Sequence, residues 1–199
     1  IERQMIRQRT KEGLRLRMKL GVMLGRPPGI KSTESIAFTP EQKEKIMALY
    51  DSYATIMPGV QAPDVAFKDA EGKKYTISNF KGKVIVIDVW ATWCGSCLKN
   101  MPKFMELINS FKENKDVVFF TVSTDSDELR EKWLAAIEKH KMGGMLNFTP
   151  ERNSTPQFEE KYFVSSVPRY IVIDKEGKIV SAFAPKPGKE LEKIIKELL

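Results

Sequence analysis

Apolar residues change their spacing from segment to segment along this chain, and each spacing predicts an element. In residues 11–24, KEGLRLRMKLGVML, Leu14, Leu16, Met18 and Leu20 alternate with Arg15, Arg17 and Lys19. A period of two predicts a half-buried strand, with helix as the alternative because Leu, Arg, Met and Lys all tolerate it. The RPPG run at 26–29 ends either element. A helix then starts at Thr39, a good N-cap, with Pro40 in the first helical position and Gln42 completing a capping box. Ile46, Leu49, Tyr50, Tyr53 and Ile56 recur at helical spacing until Pro58-Gly59.

The main domain begins near Ala62. VAFKDAEGKKYTI predicts a hairpin turning at Glu71-Gly72, and KVIVIDVW (83–90) is a near-continuous apolar strand of the kind covered on both faces. A helix from about Gly95 to Lys112 and the strand VVFFTVS (117–123) follow. Asp125, with Glu128 three residues on, is expected to cap a helix running to about Lys141. After a Gly-rich turn, Thr155-Pro156 starts a short helix. Strands at 169–173 and 178–183, joined by a turn at Glu176-Gly177, and a last helix (188–199) complete the chain. KDAEGKKYTI and IDKEGKIVSA share an EGK turn, read as common turn chemistry and not as a duplication. The element order implies an α/β domain with a mixed sheet and helices on both faces.

Charge divides the 199 residues. Positions 1–31 hold nine Lys and Arg against two Glu, and that surplus equals the net charge of +7 of the whole chain. The rest is balanced, so residues 1–60 read as a basic arm plus an amphipathic helix, and residues 61–199 as the globular domain. An anionic partner or membrane surface would meet the arm first, and the bland alternative is a solvated flank. No nucleic-acid partner is expected. Because the chain starts on Ile1, its native start, with any export signal or lipid anchor, is expected to have been lost. No apolar stretch approaches the roughly 18 residues of a membrane-spanning helix. Two cysteines leave the redox compartment open.

Those two cysteines carry the chemistry. DVWATWCGSC (88–97) places Cys94 and Cys97 three residues apart where a strand gives way to a helix. The thiolate is the nucleophile, and the dipole of a helix start favours it by about 0.3–2 kcal/mol. Gly95 and Ser96 carry no bulk to block an incoming sulfur. Cys97, one turn further in, is expected to be the more buried. Half of a zinc site is the competing reading. It lacks ligands, because no second C-x-x-C exists and His140 is the only histidine, so neither metal nor cofactor is expected. Asp88, a charge inside VIVIDVW, is either used or forms a local cap at the strand end.

WATWCGSC, the preceding FKGKVIVID and the later VSSVPRYIVIDKEGKIV resemble the thioredoxin superfamily, and more closely its TlpA/ResA-like thiol–disulfide oxidoreductases, over about Ala62–Leu199. The resemblance implies a thioredoxin-like fold with an added N-terminal hairpin (64–77) and an insert before the cis-proline strand (142–166). It implies Cys94 as the attacking and Cys97 as the resolving cysteine of a redox-active disulfide. Asp88 would be the buried proton acceptor, and Trp93, Gly95, Ser96, Val167 and Pro168 would meet the substrate. Pro168 matches the family's cis proline and Pro102 the proline that kinks the active-site helix. Asn100 departs from the pattern, standing where ResA-like members often carry Glu, and an amide cannot relay a proton. The peroxiredoxin pattern fails, with Ile87 and Ala91 where Pro and Thr/Ser would stand.

The function implied is two-electron exchange with protein thiols and disulfides, reducing disulfides of exported proteins. A periplasmic or membrane-anchored location and a membrane thiol reductase as electron donor come with the resemblance. The alternatives are a disulfide oxidase or isomerase, or a binding module docking through its basic arm.

Overall fold

The computed structural model describes residues 39–152 and 157–199. The expectations at 11–24, at RPPG and at Thr155-Pro156 lie outside the described residues. Helix α1 (Pro40–Tyr53) begins with the expected capping box. The Thr39 N–H donates to Gln42 Oε1 at 2.9 Å, and the Gln42 N–H to Thr39 Oγ1 at 3.2 Å. Tyr53–Leu199 form one compact unit, and α1 is described by itself.

Seven strands make the sheet of that unit: β1 (Ala66–Lys68), β2 (Lys74–Thr76), β3 (Val84–Trp90), β4 (Val117–Ser123), β5 (Leu146–Pro150), β6 (Arg169–Ile173) and β7 (Ile179–Ala184). Their order is β2-β1-β5-β4-β3-β6-β7. β3, β4 and β5 run parallel, while β1, β2, β6 and β7 join through antiparallel pairs. The helices are α2 (Gly95–Ser110), α3 (Arg130–Lys139), the short α4 (Phe158–Lys161) and α5 (Lys189–Lys196). The mixed sheet flanked by helices is the expected α/β architecture.

The strand β5 is a correction. The sequence reading passes from a Gly-rich turn to a short helix here, because LNFTP is brief and does not alternate. Asn147 is buried where a strand pattern would show an apolar residue. Its amide donates to the Met142 and Met145 carbonyls and its oxygen accepts from Thr121 Oγ1, each at 2.9 Å. Pairing with β4 on one side and β1 on the other lets β5 carry the N-terminal hairpin into the sheet.

The two EGK turns are built alike. Asp69 Oδ1 accepts from the Lys73 N–H at 2.8 Å, and Asp174 Oδ1 from the Lys178 N–H at 2.7 Å. Gly72 and Gly177 hold φ of 84° and 78°, which a side chain would strain.

β3 sorts the core. Its seven residues are all buried, and alternation sends Val84, Val86, Asp88 and Trp90 to one face and Ile85, Ile87 and Val89 to the other. The parallel crossovers β3-α2-β4 and β4-α3-β5 advance in the same direction, so right-handed connection puts α2 and α3 on the same face. Cys97, Met101, Phe104 and Leu107 of α2 pack there with Trp133 of α3 and Leu191 and Ile195 of α5. The opposite face is covered by Ile56, Phe158 and Tyr162.

Candidate active site

The site forms where β3 gives way to α2. β-branched residues run the strand through the sheet, and the chain turns at Ala91 and Thr92, where the Cys94 N–H donates to the Ala91 carbonyl at 3.0 Å. Cys94 is the N-cap of α2, with extended backbone, and its Sγ accepts from the Cys97 N–H at 3.2 Å. An N-cap acceptor is ordinarily an oxygen of Ser, Thr, Asp or Asn; here a sulfur takes one of the free amides of the first turn. Cys94 and Cys97 are joined by a disulfide, with Cα atoms 5.3 Å apart. Pro102 lies inside α2, where it offers no N–H to the Leu98 carbonyl.

The surroundings of the two sulfurs differ. Cys97 is fully buried and Cys94 is 5% exposed, while Trp93, Gly95 and Ser96 around it lie open to solvent. Trp93 is 69% exposed, a large apolar surface in water beside the disulfide. Ser96 Oγ comes within 3.4 Å of Cys94 Sγ. The Val167-Pro168 bond is cis, both residues are half-buried, and Val167 packs against the apolar cluster that contains Cys94 and Cys97. The structure thus gathers Trp93, Cys94, Gly95, Ser96, Cys97 and the Val167-Pro168 segment at one end of the sheet.

Asp88 lies on the face of β3 that α2 covers. It is fully buried, and neither carboxylate oxygen has a hydrogen-bond partner among the described residues. Burial alone pushes its carboxyl well above the usual carboxylate range. A cap at the strand end would be hydrogen-bonded, so this geometry leaves no room for that alternative.

Asp125 corrects the sequence reading. It caps no helix: the 3-10 turn Asp127–Leu129 that leads into α3 starts from Ser126. Instead, buried Asp125 accepts from the Thr92 N–H at 2.8 Å, Thr92 Oγ1 at 2.9 Å and Ser123 Oγ at 2.6 Å. It fixes the turn that presents Trp93 and Cys94. Arg152 then donates to the Asp125 and Thr124 carbonyls and pairs with Glu159 at 2.9 Å, tying the segment after β5 to the same corner. The signal in the sequence was an acid just past the strand beside the one that carries C-x-x-C. Arg169 was also missed. It is buried directly after Pro168 and donates through Nε to the Ala182 carbonyl at 2.8 Å and through Nη1 to the Phe163 carbonyl. It also lies 3.9 Å from the Phe183 ring centroid. Burial draws its guanidinium down to about 10.

Comparison with known proteins places this arrangement. The family description Redoxin matches residues 57–199, which hold every strand of the described residues and both cysteines. The chain belongs to the Redoxin family. It is 30% identical over 162 residues to the thiol-disulfide oxidoreductase ResA of Bacillus thuringiensis, covering 81% of this chain and 83% of that one. It is 27% identical over 133 residues to ResA of Bacillus subtilis, covering 67% and 70%. Among solved structures, the thioredoxin domain of a thiol-disulfide oxidoreductase from Bacteroides vulgatus superposes with TM-score 0.61 at 30% identity. That match covers 70% of this chain and 96% of that domain. A thiol-disulfide oxidoreductase from Bacteroides fragilis gives 0.61 at 25%, covering 70% and 99%. With its C-x-x-C pair, this Redoxin-family chain is a TlpA/ResA-like thiol–disulfide oxidoreductase of the thioredoxin superfamily. Its substrates are protein thiols and disulfides.

Proposed function

We propose that Cys94 attacks a protein disulfide and that Cys97 resolves the mixed disulfide. The Cys94 thiolate bonds to one substrate sulfur, and the other leaves with the electron pair and takes a proton. Cys97 then gives its proton to Asp88 and attacks Cys94 Sγ. The Cys94–substrate bond breaks, the second substrate thiol departs, and the Cys94–Cys97 disulfide remains. Two electrons have passed to the substrate, and a dithiol donor restores the pair.

The observation that carries this reading is the position of Cys94 as N-cap of a 16-residue helix, with a buried Cys97 one turn in. Free amides and the dipole of that helix favour the thiolate at Cys94. Trp93, Gly95, Ser96, Val167 and Pro168 form the substrate surface: an exposed indole, two small residues, and a backbone segment that a peptide can pair with. Likeness to the ResA relatives supports disulfides of exported proteins as substrates. It also supports work on the periplasmic face of a membrane and a membrane thiol reductase as donor. Among the described residues no helix is long and apolar enough to cross a membrane.

Reduction of insulin in the presence of a small thiol tests the proposal. The protein should accelerate it over the blank, and Cys94→Ser should remove the gain. A wild-type rate equal to the blank on every disulfide tried would defeat it.

A further inference from the structure

The face of β3 beneath α2 holds more polarity than the two sulfurs require. The β3–β6 register sets Asp88 directly opposite Tyr170. Side chains so paired lie on one face with Cβ atoms about 4.5–5.5 Å apart. Tyr170 is only 3% exposed, and its hydroxyl, like both Asp88 oxygens and Trp90 Nε1, has no hydrogen-bond partner among the described residues. Buried polar groups are nearly always paired, so several orphans on one face call for an explanation.

Asn100 is half-buried on α2, one turn beyond Cys97. Burial raises the Tyr170 phenol most, the Asp88 charge raises it further, and the Asn100 side chain pulls the other way. The hydroxyl thus feels both groups, without a hydrogen bond to either. The other neighbours on this face are Thr121 of β4, whose hydroxyl is committed to Asn147, and Val172 of β6. Cys97, Met101 and Phe104 of α2, Trp133 of α3, and Leu191 and Ile195 of α5 complete them. Of all these, Tyr170 and Cys97 titrate and none is permanently charged. Asp125, a buried carboxyl past the end of β4, is held by Thr92 and Ser123.

We propose that Tyr170 is a positioning residue for proton transfer, its hydroxyl free while Asp88 is protonated and donating to the Asp88 carboxylate when Asp88 ionises. The proposal rests on Asp88 as the acceptor of the Cys97 proton and names the group that makes its ionised form attainable in a dry site. A carboxylate accepts and never donates, and a phenol O–H donates, so a side-chain shift that closes this cross-strand pair satisfies both orphans when the base is needed. Hydrogen bonding to the charged form favours that form. Tyr170 thus does for Asp88 what no charged side chain on this face does.

The test is the pH dependence of insulin reduction, measured as kcat/KM on the full chain. The acid limb should follow Asp88. Tyr170→Phe removes the donor and keeps the ring, so the limb should move to higher pH. Activity on the limb should fall about tenfold, with the plateau at high pH unchanged. The Tyr170 hydroxyl has no partner to lose in the folded protein, so Tyr170→Phe should melt as the wild type does and the limb can be read. A packing role for Tyr170 would lower the melting temperature and leave the limb in place. If Asp88→Asn abolishes the limb while Tyr170→Phe does not shift it, the positioning role is overturned and the base stands. If Asp88→Asn leaves the limb unchanged, both readings fall.

Discussion

The two faces of β3 are made from one strand and do different work. On one, Ile85, Ile87 and Val89 meet Phe67, Phe120, Phe148 and Phe158 in a cluster of apolar side chains. On the other, Val84 and Val86 share their row with Asp88 and Trp90, beneath a helix that starts with a disulfide. A residue step of one moves a side chain from the face that stabilises to the face that reacts. Full burial of a Phe or Ile stabilises by about 1.5–3 kcal/mol, while a buried ionised carboxylate costs more than that. The reactive face carries a penalty that the aromatic face offsets.

Breaking the aromatic face should have the largest effect on stability. Phe67 is fully buried, with ring centroids 5.4 Å from Phe158, 5.8 Å from Phe148 and 5.9 Å from Phe120. Phe67→Ala should cost about 3–5 kcal/mol in denaturant unfolding and leave the pH profile of the remaining activity in place. A moved profile would show that the faces are not separate.

A smaller loss is expected at the corner that holds the active-site turn. Asp125→Ala removes three accepted hydrogen bonds and leaves the Thr92 N–H and the Thr92 and Ser123 hydroxyls without their acceptor. It should cost about 1–3 kcal/mol and lower kcat/KM by loosening Trp93 and Cys94. Full activity in the variant would show that the turn does not need its carboxyl anchor.

The smallest change, and one of opposite sign, is expected at Asp88. Burial raises its carboxyl in the folded state. Between the unfolded value near 4 and the raised one, the native protein keeps a proton that the unfolded chain has released, so stability falls as pH rises. Asp88→Asn should therefore raise the melting temperature at pH 8 by about 5 °C and change it little at pH 3. A variant less stable at both pH values would place the carboxyl among stabilising groups.

What the sequence made legible follows from what each signal is made of. The continuous apolar run of β3, the capping box at Thr39 and the EGK turns are local, and each formed as read. C-x-x-C is local too, and its place as the cap of α2 follows from the strand-to-helix junction. β5 was hidden because its pairing, not its own pattern, makes it a strand. Asp125 looked like a cap because a capping acid and an acid that reaches across to Thr92, 33 residues away in the chain, read alike. Tyr170 could not be linked to Asp88 before the β3–β6 register was known, since a slip of one residue would have faced it away.

The central claim is a division of labour between two sulfurs, and covalent trapping measures it most directly. With Cys97→Ser, a disulfide substrate should remain bonded to Cys94 as a stable adduct seen by mass spectrometry. With Cys94→Ser, no adduct should form at the buried Cys97. Adducts forming equally well on Cys97, or none on Cys94, would contradict the account.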